Sequence, residues 1–275
     1  MRVRRPVLLA VAHGSRDPAA QLAVHALCAQ VSGLAPGVDV RPAFLQNAEP
    51  SLAAALADAA DSTSDVVIVP LLLSAGYHVC HDIAGAVAAT RAAATAPAMA
   101  PVGRTGVMAD AGAGGGVGVA APLGPDARLV PALADRLAEA GVPDWTPVVL
   151  AAAGSSDPQA AADTERQAEL LAAYAGVPVV AAYLSASRPA VDEAVAALSA
   201  RTGRPVAVAA YLLAPGFFLD RLHRSPAAWV SGPLTGHPAV AGLVLHRFHC
   251  ARSTAPTLSR PLPGSPSRAA ACGQP

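Results

Sequence analysis

Apolar runs of four to eight residues alternate along this chain with alanine-rich stretches whose apolar positions recur every three to four residues. Val7 to Ala12, Val38 to Leu45, Val66 to Leu73 and Val117 to Ala121 read as strands. Between and after them, Ala19 to Val31, Ser51 to Ala60, Asp82 to Ala94 and Asp126 to Ala140 read as helices, the last with Leu129, Leu133 and Leu137 along one side. Strands without polar alternation are buried on both faces, and strands alternating with helices connect in parallel. The expected fold is therefore α/β, a small parallel sheet flanked by helices.

The pattern then repeats. Val148 to Ala152 leads into Gly154-Ser155-Ser156-Asp157-Pro158 as Val7 to Ala12 leads into Gly14-Ser15-Arg16-Asp17-Pro18, with the two aspartates 140 residues apart. Val206 to Leu213, followed by Gly216-Phe217-Phe218, echoes Val66 to Leu73, followed by Gly76-Tyr77-His78, at the same offset. Two tandem domains follow, an internal pseudo-dimer, with boundaries at 1–140 and 141–251. Gly76 to Pro122 takes 46 residues where Gly216 to Pro233 takes 17; the excess is largely the Gly/Ala-rich stretch 95–116, read as a flexible insert. Residues 252–275, without periodicity, read as a disordered tail.

Composition removes several classes of function. The 19 basic and 19 acidic residues cancel and the chain has no lysine, so no basic stripe for nucleic acid or an anionic membrane is expected. The run Val66 to Leu73 contains Pro70 and is far shorter than the roughly 20 residues of a membrane span. Cys28, Cys80, Cys250 and Cys272 show neither Cys-x-x-Cys spacing nor the density of a secreted scaffold, and the apolar stretch after Arg5 is too short for a signal peptide. The expected location is the cytoplasm.

The candidate chemistry is confined to one copy. His13 and His78 each follow a predicted strand, where parallel sheets place their ligand crevice, and the second copy has Ala153 and Phe218 instead. Neutral imidazole binds divalent metals and also takes up protons near neutrality. Glu49, before the second helix, is matched by Arg188; it reads either as a third metal ligand or as a carboxylate complementing a helix start. Arg16, in the His13 loop, is the candidate grip for a substrate carboxylate, and Ser156 does not repeat it.

The strings Ala12-His13-Gly14-Ser15-Arg16-Asp17-Pro18, Phe44-Leu45-Gln46-Asn47-Ala48-Glu49-Pro50-Ser51 and Val69 to Ile83 resemble those of the sirohydrochlorin chelatases, the class II tetrapyrrole metal chelatases, in their tandem two-domain form. The resemblance spans about residues 6 to 250. It implies a lyase that inserts Co²⁺, Fe²⁺ or Ni²⁺ into sirohydrochlorin or a related tetrapyrrole, for sirohaem or cobalamin. His13 and His78 would bind the metal and help remove the pyrrole protons, with Gly14, Ser15, Arg16, Gly76 and Tyr77 around the substrate and His81 one helical turn past His78. The metal is then a substrate, with no permanently bound cofactor. Where the family tends to carry an acidic residue this chain has Gln46, so the third ligand falls to Glu49, to Gln46 or to water.

Because single-domain relatives pair as homodimers, the fusion is expected to act as a monomer, its second half forming the opposite wall of the cleft. Other readings of the same residues are a metallochaperone or tetrapyrrole-binding protein without turnover, and a histidine phosphatase. Against the phosphatase, Ala12 stands where its Arg-His-Gly loop needs arginine. No phosphate loop of the Gly-x-x-x-x-Gly-Lys type is present to drive an ATP-dependent reaction.

Overall fold

A computed structural model describes residues 5–62, 65–74, 82–89 and 117–254. The first half runs β1 (Val7–Ala12), α1 (Pro18–Leu34), β2 (Asp39–Phe44), α2 (Leu52–Ser62), β3 (Val66–Pro70), a helix α3 over 82–89 and β4 (Val117–Val119). A 3-10 turn (Ala127–Leu129) opens α4 (Val130–Glu139). The second half follows with β5 (Val148–Ala152), α5 (Pro158–Ala175), β6 (Val179–Tyr183), α6 (Val191–Thr202), β7 (Ala207–Tyr211), α7 (Phe217–Leu222), β8 (Trp229–Val230) and α8 (Pro238–Thr254).

Each half is a four-stranded parallel sheet, in the orders β2-β1-β3-β4 and β6-β5-β7-β8. The central strands are the apolar runs of the sequence, buried at every position of β1, β3, β5 and β7. β3 ends at Pro70, earlier than the apolar run does, but Leu71 N–H still donates to the Val11 carbonyl at 2.7 Å, so the chain stays beside β1 as it leaves the sheet. Strand order reverses between β1 and β3: the chain lays β2 on one side of β1 and β3 on the other. The loops leaving their carboxyl ends therefore diverge and open a crevice.

Helix starts repeat between the halves for a local reason. Asp17 and Asp157 each accept the N–H two residues on, from Ala19 and Gln159, both at 2.9 Å, and a proline occupies the first helical turn, where an N–H would have no partner.

The final helix of each half crosses to the other. α4 packs on α5 and β7 of the second sheet, and α8 packs on α1, β3 and β4 of the first. A boundary after Ala140 thus follows chain order, whereas packing is exchanged. One apolar core runs through the middle of the molecule, joining Leu8, Leu27 and Phe44 to Leu133, Leu150 and Leu171 and to Val244 and Phe248 of α8; each sheet has its own second core on its outer face. α8 also extends to Thr254, past the point where the sequence loses periodicity.

Reciprocal arginines lock this exchange. Counting from Pro122 and Pro233, Arg136 and Arg247 occupy the same place in the two copies. Arg136 Nη2 donates to the Thr235 carbonyl at 2.8 Å, while Arg247 donates through Nε to Pro122 O at 2.8 Å and through Nη2 to Leu123 O at 3.1 Å. Arg247 also pairs with Asp126 at 2.9 Å, both side chains largely buried. Each half is held by the loop after the other's last strand, the self-complementary arrangement of a twofold dimer, here within one chain.

Candidate functional site

His13 follows β1 directly and is exposed. Its loop is built on Gly14, whose φ of +95° suits glycine; a Cβ there would lie 1.7 Å from the Gln46 carbonyl oxygen. That close approach seats the His13 loop against the loop after β2, with Gln46 N–H donating to the His13 carbonyl at 3.0 Å. Ser15 and Gln21 complete the seat: Ser15 Oγ accepts from Asp17 N–H at 3.0 Å and Gln21 Nε2 donates to the Ser15 carbonyl at 2.8 Å. Gly154 and the Ser185 carbonyl reproduce the construction in the second half. The scaffold is shared, but the imidazole belongs to the first copy.

The carboxyl ends of the two sheets meet in a cleft with two adjoining cavities of about 410 and 320 Å³, both lined by His13, Leu71, Leu212, Leu213 and Phe218. The larger continues past Leu73 and Ser74 to Gly154, Ser155, Tyr183 and Tyr211 of the second half, and the smaller reaches Phe217. Among the described residues lining them, His13 is the only imidazole, and there is neither a carboxylate nor a guanidinium. Apolar walls with a few polar points suit the face of a large, flat organic molecule.

The Gln46 amide lies on the imidazole, with Nε2 to Nε2 at 2.6 Å. With the amide nitrogen toward the ring, His13 Nε2 accepts and its proton sits on Nδ1. Glu49 goes elsewhere: its Oε2 accepts the Ser51 N–H at 2.8 Å, complementing the start of α2. This hydrogen bond is that of a helix start, one of the two uses foreseen for Glu49. Arg16 is exposed and without a hydrogen-bond or ion-pair partner among the described residues. The structure thus brings Gln46 to His13, sets Gly14 and Ser15 beneath it and leaves Arg16 open to solvent. Gly76, Tyr77, His78 and His81, together with the insert at 95–116, lie outside the described residues, as does the chain beyond Thr254. Among the described residues, no group of three or more His, Cys, Asp and Glu is placed to hold a metal.

The opposite wall was not visible as residues in the sequence. Tyr211, almost wholly buried, donates its hydroxyl to the Leu73 carbonyl at 2.7 Å, and burial, with help from Asp163 and Asp126, pushes its phenol well above the ordinary tyrosine range, so it remains a donor. Burial, and secondarily Glu165, also raises Tyr183, whose hydroxyl donates to Ala161 O at 3.2 Å. Behind them Gln167 Oε1 accepts the Asp126 N–H at 2.9 Å. A signal for this wall existed on α5: the buried Asp163, Thr164 and Gln167 stand where the first copy has Ala23, Val24 and Leu27. A polar stripe replacing an apolar one marks a helix face that meets polar neighbours.

The model of the CbiX family matches residues 7–140 and again 147–251. The chain belongs to the CbiX family. The two matches follow the internal repeat, and the motif likeness to sirohydrochlorin chelatases is borne out. Two curated relatives, both sirohydrochlorin cobaltochelatases, are each 33% identical: that of Methanosarcina acetivorans over 79 residues, 28% of this chain and 61% of its own length, and that of Methanococcoides burtonii over 78 residues, 28% and 59%. The match therefore spans less than two thirds of either relative. Among solved structures, SirB from Bacillus subtilis with Fe³⁺ superposes with a TM-score of 0.73 at 25% identity, covering 89% of this chain and 94% of that one. The sirohydrochlorin chelatase SirB from Bacillus subtilis subspecies spizizenii, in complex with cobalt, gives 0.71 at 23% identity over 91% and 97%, a likeness of fold. The expected α/β architecture of two tandem chelatase-like sheets is thus confirmed, and no helix among the described residues is long and apolar enough to cross a membrane.

Proposed function

We propose that this protein inserts a divalent metal, Co²⁺ or Fe²⁺, into sirohydrochlorin or a related tetrapyrrole, in sirohaem or cobalamin biosynthesis. One observation carries the reading: His13 stands where two apolar cavities join, between a wall from each half, in a chain of the CbiX family. The names of its relatives support the same substrate class.

Insertion exchanges two pyrrole N–H protons for M²⁺, so charge balances as two protons leave. The metal is a substrate, and its protein ligands have to be few so that it can be passed on. His13 offers one imidazole nitrogen to the metal and His78 a second; once the metal transfers, the freed imidazoles take the pyrrole protons. Gln46 cannot accept a proton near neutral pH, so its part is to orient the His13 ring. Gly14, Ser15, Gly76 and Tyr77 contact the macrocycle, Arg16 takes one of its carboxylates and His81 supports the action of His78. Tyr183, Tyr211 and Phe218 close the far side and exclude water. A single cytoplasmic chain contains both walls, so a monomer suffices.

The test follows the absorbance change of anaerobic sirohydrochlorin with Co²⁺, Fe²⁺ or Ni²⁺ for wild type, His13→Ala and His78→Ala. Each substitution is expected to remove most of the catalysed rate, on the order of a hundredfold or more, as for loss of a proton-transfer group. Wild-type rates in both variants would overturn the site. Stoichiometric metal binding without turnover would favour a metallochaperone.

A further inference from the structure

The sequences of the two copies differ in charge at two matched places. Glu49 and His81 of the first copy are matched in sequence by Arg188 and Arg221 of the second. Around these arginines lie two further cavities, of about 230 and 340 Å³, that share Tyr183, Leu184, Ala190 and Arg221. Arg224, Asp192 and Ser225 line the first, and Arg188, Ser185 and Ser187 the second. Tyr183 also lines the 410 Å³ cavity, so this cationic region flanks the cleft.

Arg221 is anchored for a purpose its own fold contacts do not exhaust. Its Nη1 donates to the Leu184 carbonyl at 2.6 Å, which holds the guanidinium at the end of β6 while leaving its other N–H groups without a partner among the described residues. Arg224 has no side-chain partner among the described residues, and the buried Ser225 hydroxyl is unpaired there. Arg188 meets Glu193 at 2.6 Å, but both side chains are mostly exposed, so the pair is weak and exchangeable. Against three guanidiniums stand two carboxylates, Asp192 and Glu193, and the balance is positive.

The cleft itself has no cation among the described residues of its walls, and the chain has no lysine. Carboxylates on the rim of a macrocycle lying in the cleft must therefore be met by arginines beside it. We propose that Arg221, supported by Arg224 and Arg188, forms a carboxylate-binding site holding the rim of the anionic macrocycle at the second-half edge of the cleft. The fork of a guanidinium suits two carboxylate oxygens better than an ammonium would. This rests on the reading that the cleft takes sirohydrochlorin.

Quenching of macrocycle fluorescence measures the affinity of the full chain for metal-free sirohydrochlorin and for its neutral octamethyl ester. Arg221→Gln and Arg224→Gln are each expected to weaken the free acid about tenfold at low salt, less at high salt, while the ester binds all three proteins alike. Arg224→Gln keeps the test open should Arg221→Gln disturb β6. Equal affinity of wild type and both variants for the free acid would overturn the proposal, as would an equal loss for acid and ester, which would mark a structural role. If wild type binds neither compound, the cleft reading itself fails, a separate outcome.

Discussion

Tyr211, at the end of β7 in the second half, donates its hydroxyl to the carbonyl of Leu73 in the first, at 2.7 Å. Leu73 lies just past β3, on the side of the cleft from which the chain continues toward His78. The second copy, which has no imidazole at the cleft, thus secures the loop of the copy that does. Tyr211→Phe should lower stability by about 1–2 kcal/mol, the cost of a buried carbonyl left unpaired, read from the urea midpoint. An unchanged midpoint would mean that this bond contributes nothing to holding the halves together.

Arg247 serves three acceptors at once: the carbonyls of Pro122 and Leu123 and the carboxylate of Asp126. Arg247→Ala removes the buried partner of Asp126, which keeps its pair with the more exposed Arg128 at 3.2 Å, and leaves the Pro122 and Leu123 carbonyls without this donor; it should cost roughly 1–3 kcal/mol. Denaturant unfolding measures it. A loss below about 1 kcal/mol, the value of an exposed pair, would show that water reaches the site freely.

Gly14 and Gly154 make a matched pair. Both have positive φ, and at both a Cβ would strike a backbone carbonyl oxygen, at 1.7 and 1.8 Å. Gly14→Ala and Gly154→Ala should destabilise to a similar degree, by more than about 1 kcal/mol each, but metal insertion should fall further in Gly14→Ala, whose loop carries His13. Equal loss of rate in the two would contradict the one-sided assignment of the chemistry.

Gln46→Glu puts a carboxylate beside the imidazole where an amide now donates to it. Co²⁺ affinity, by titration calorimetry, should rise on the order of tenfold, the scale of changes next to a metal-bound histidine. Unaltered affinity would place the metal away from His13 Nε2.

Burial pushes the Cys28 thiol up from 9.0 to about 12. The unfolded chain loses this proton first, so between about pH 9 and 12 the unfolded state binds fewer protons and stability falls as pH rises, by up to about 1.4 kcal/mol per pH unit. Cys28→Ala should remove the part of that loss that begins near pH 9, leaving the alkaline loss that sets in above about pH 10 from Tyr183 and Tyr211, whose phenols are also raised. In folded protein at pH 8, a maleimide should label the exposed Cys250 and leave the buried Cys28 unreacted. Rapid labelling of both would show that α1 opens readily.

The two sheets, the helices between them and the placing of His13 in a loop at a strand end were legible in the residue pattern. Those features depend on short-range patterns: unbroken apolar runs, Asp-Pro helix starts, and a glycine where φ must be positive. The sequence left Glu49 with two roles; in the structure its carboxylate accepts the Ser51 N–H two residues on, the contact of a helix start. The exchange of α4 and α8 between sheets, the clasping of opposite loops by Arg136 and Arg247, and the reach of Tyr211 to Leu73 emerge in the folded chain alone. The hydrogen bonds of Arg136, Arg247 and Tyr211 join residues more than ninety positions apart, and no local periodicity encodes which of two similar sheets a helix will cover. That choice is made by the shared core, where exchanging the last helices buries apolar faces that each half alone would leave open to water.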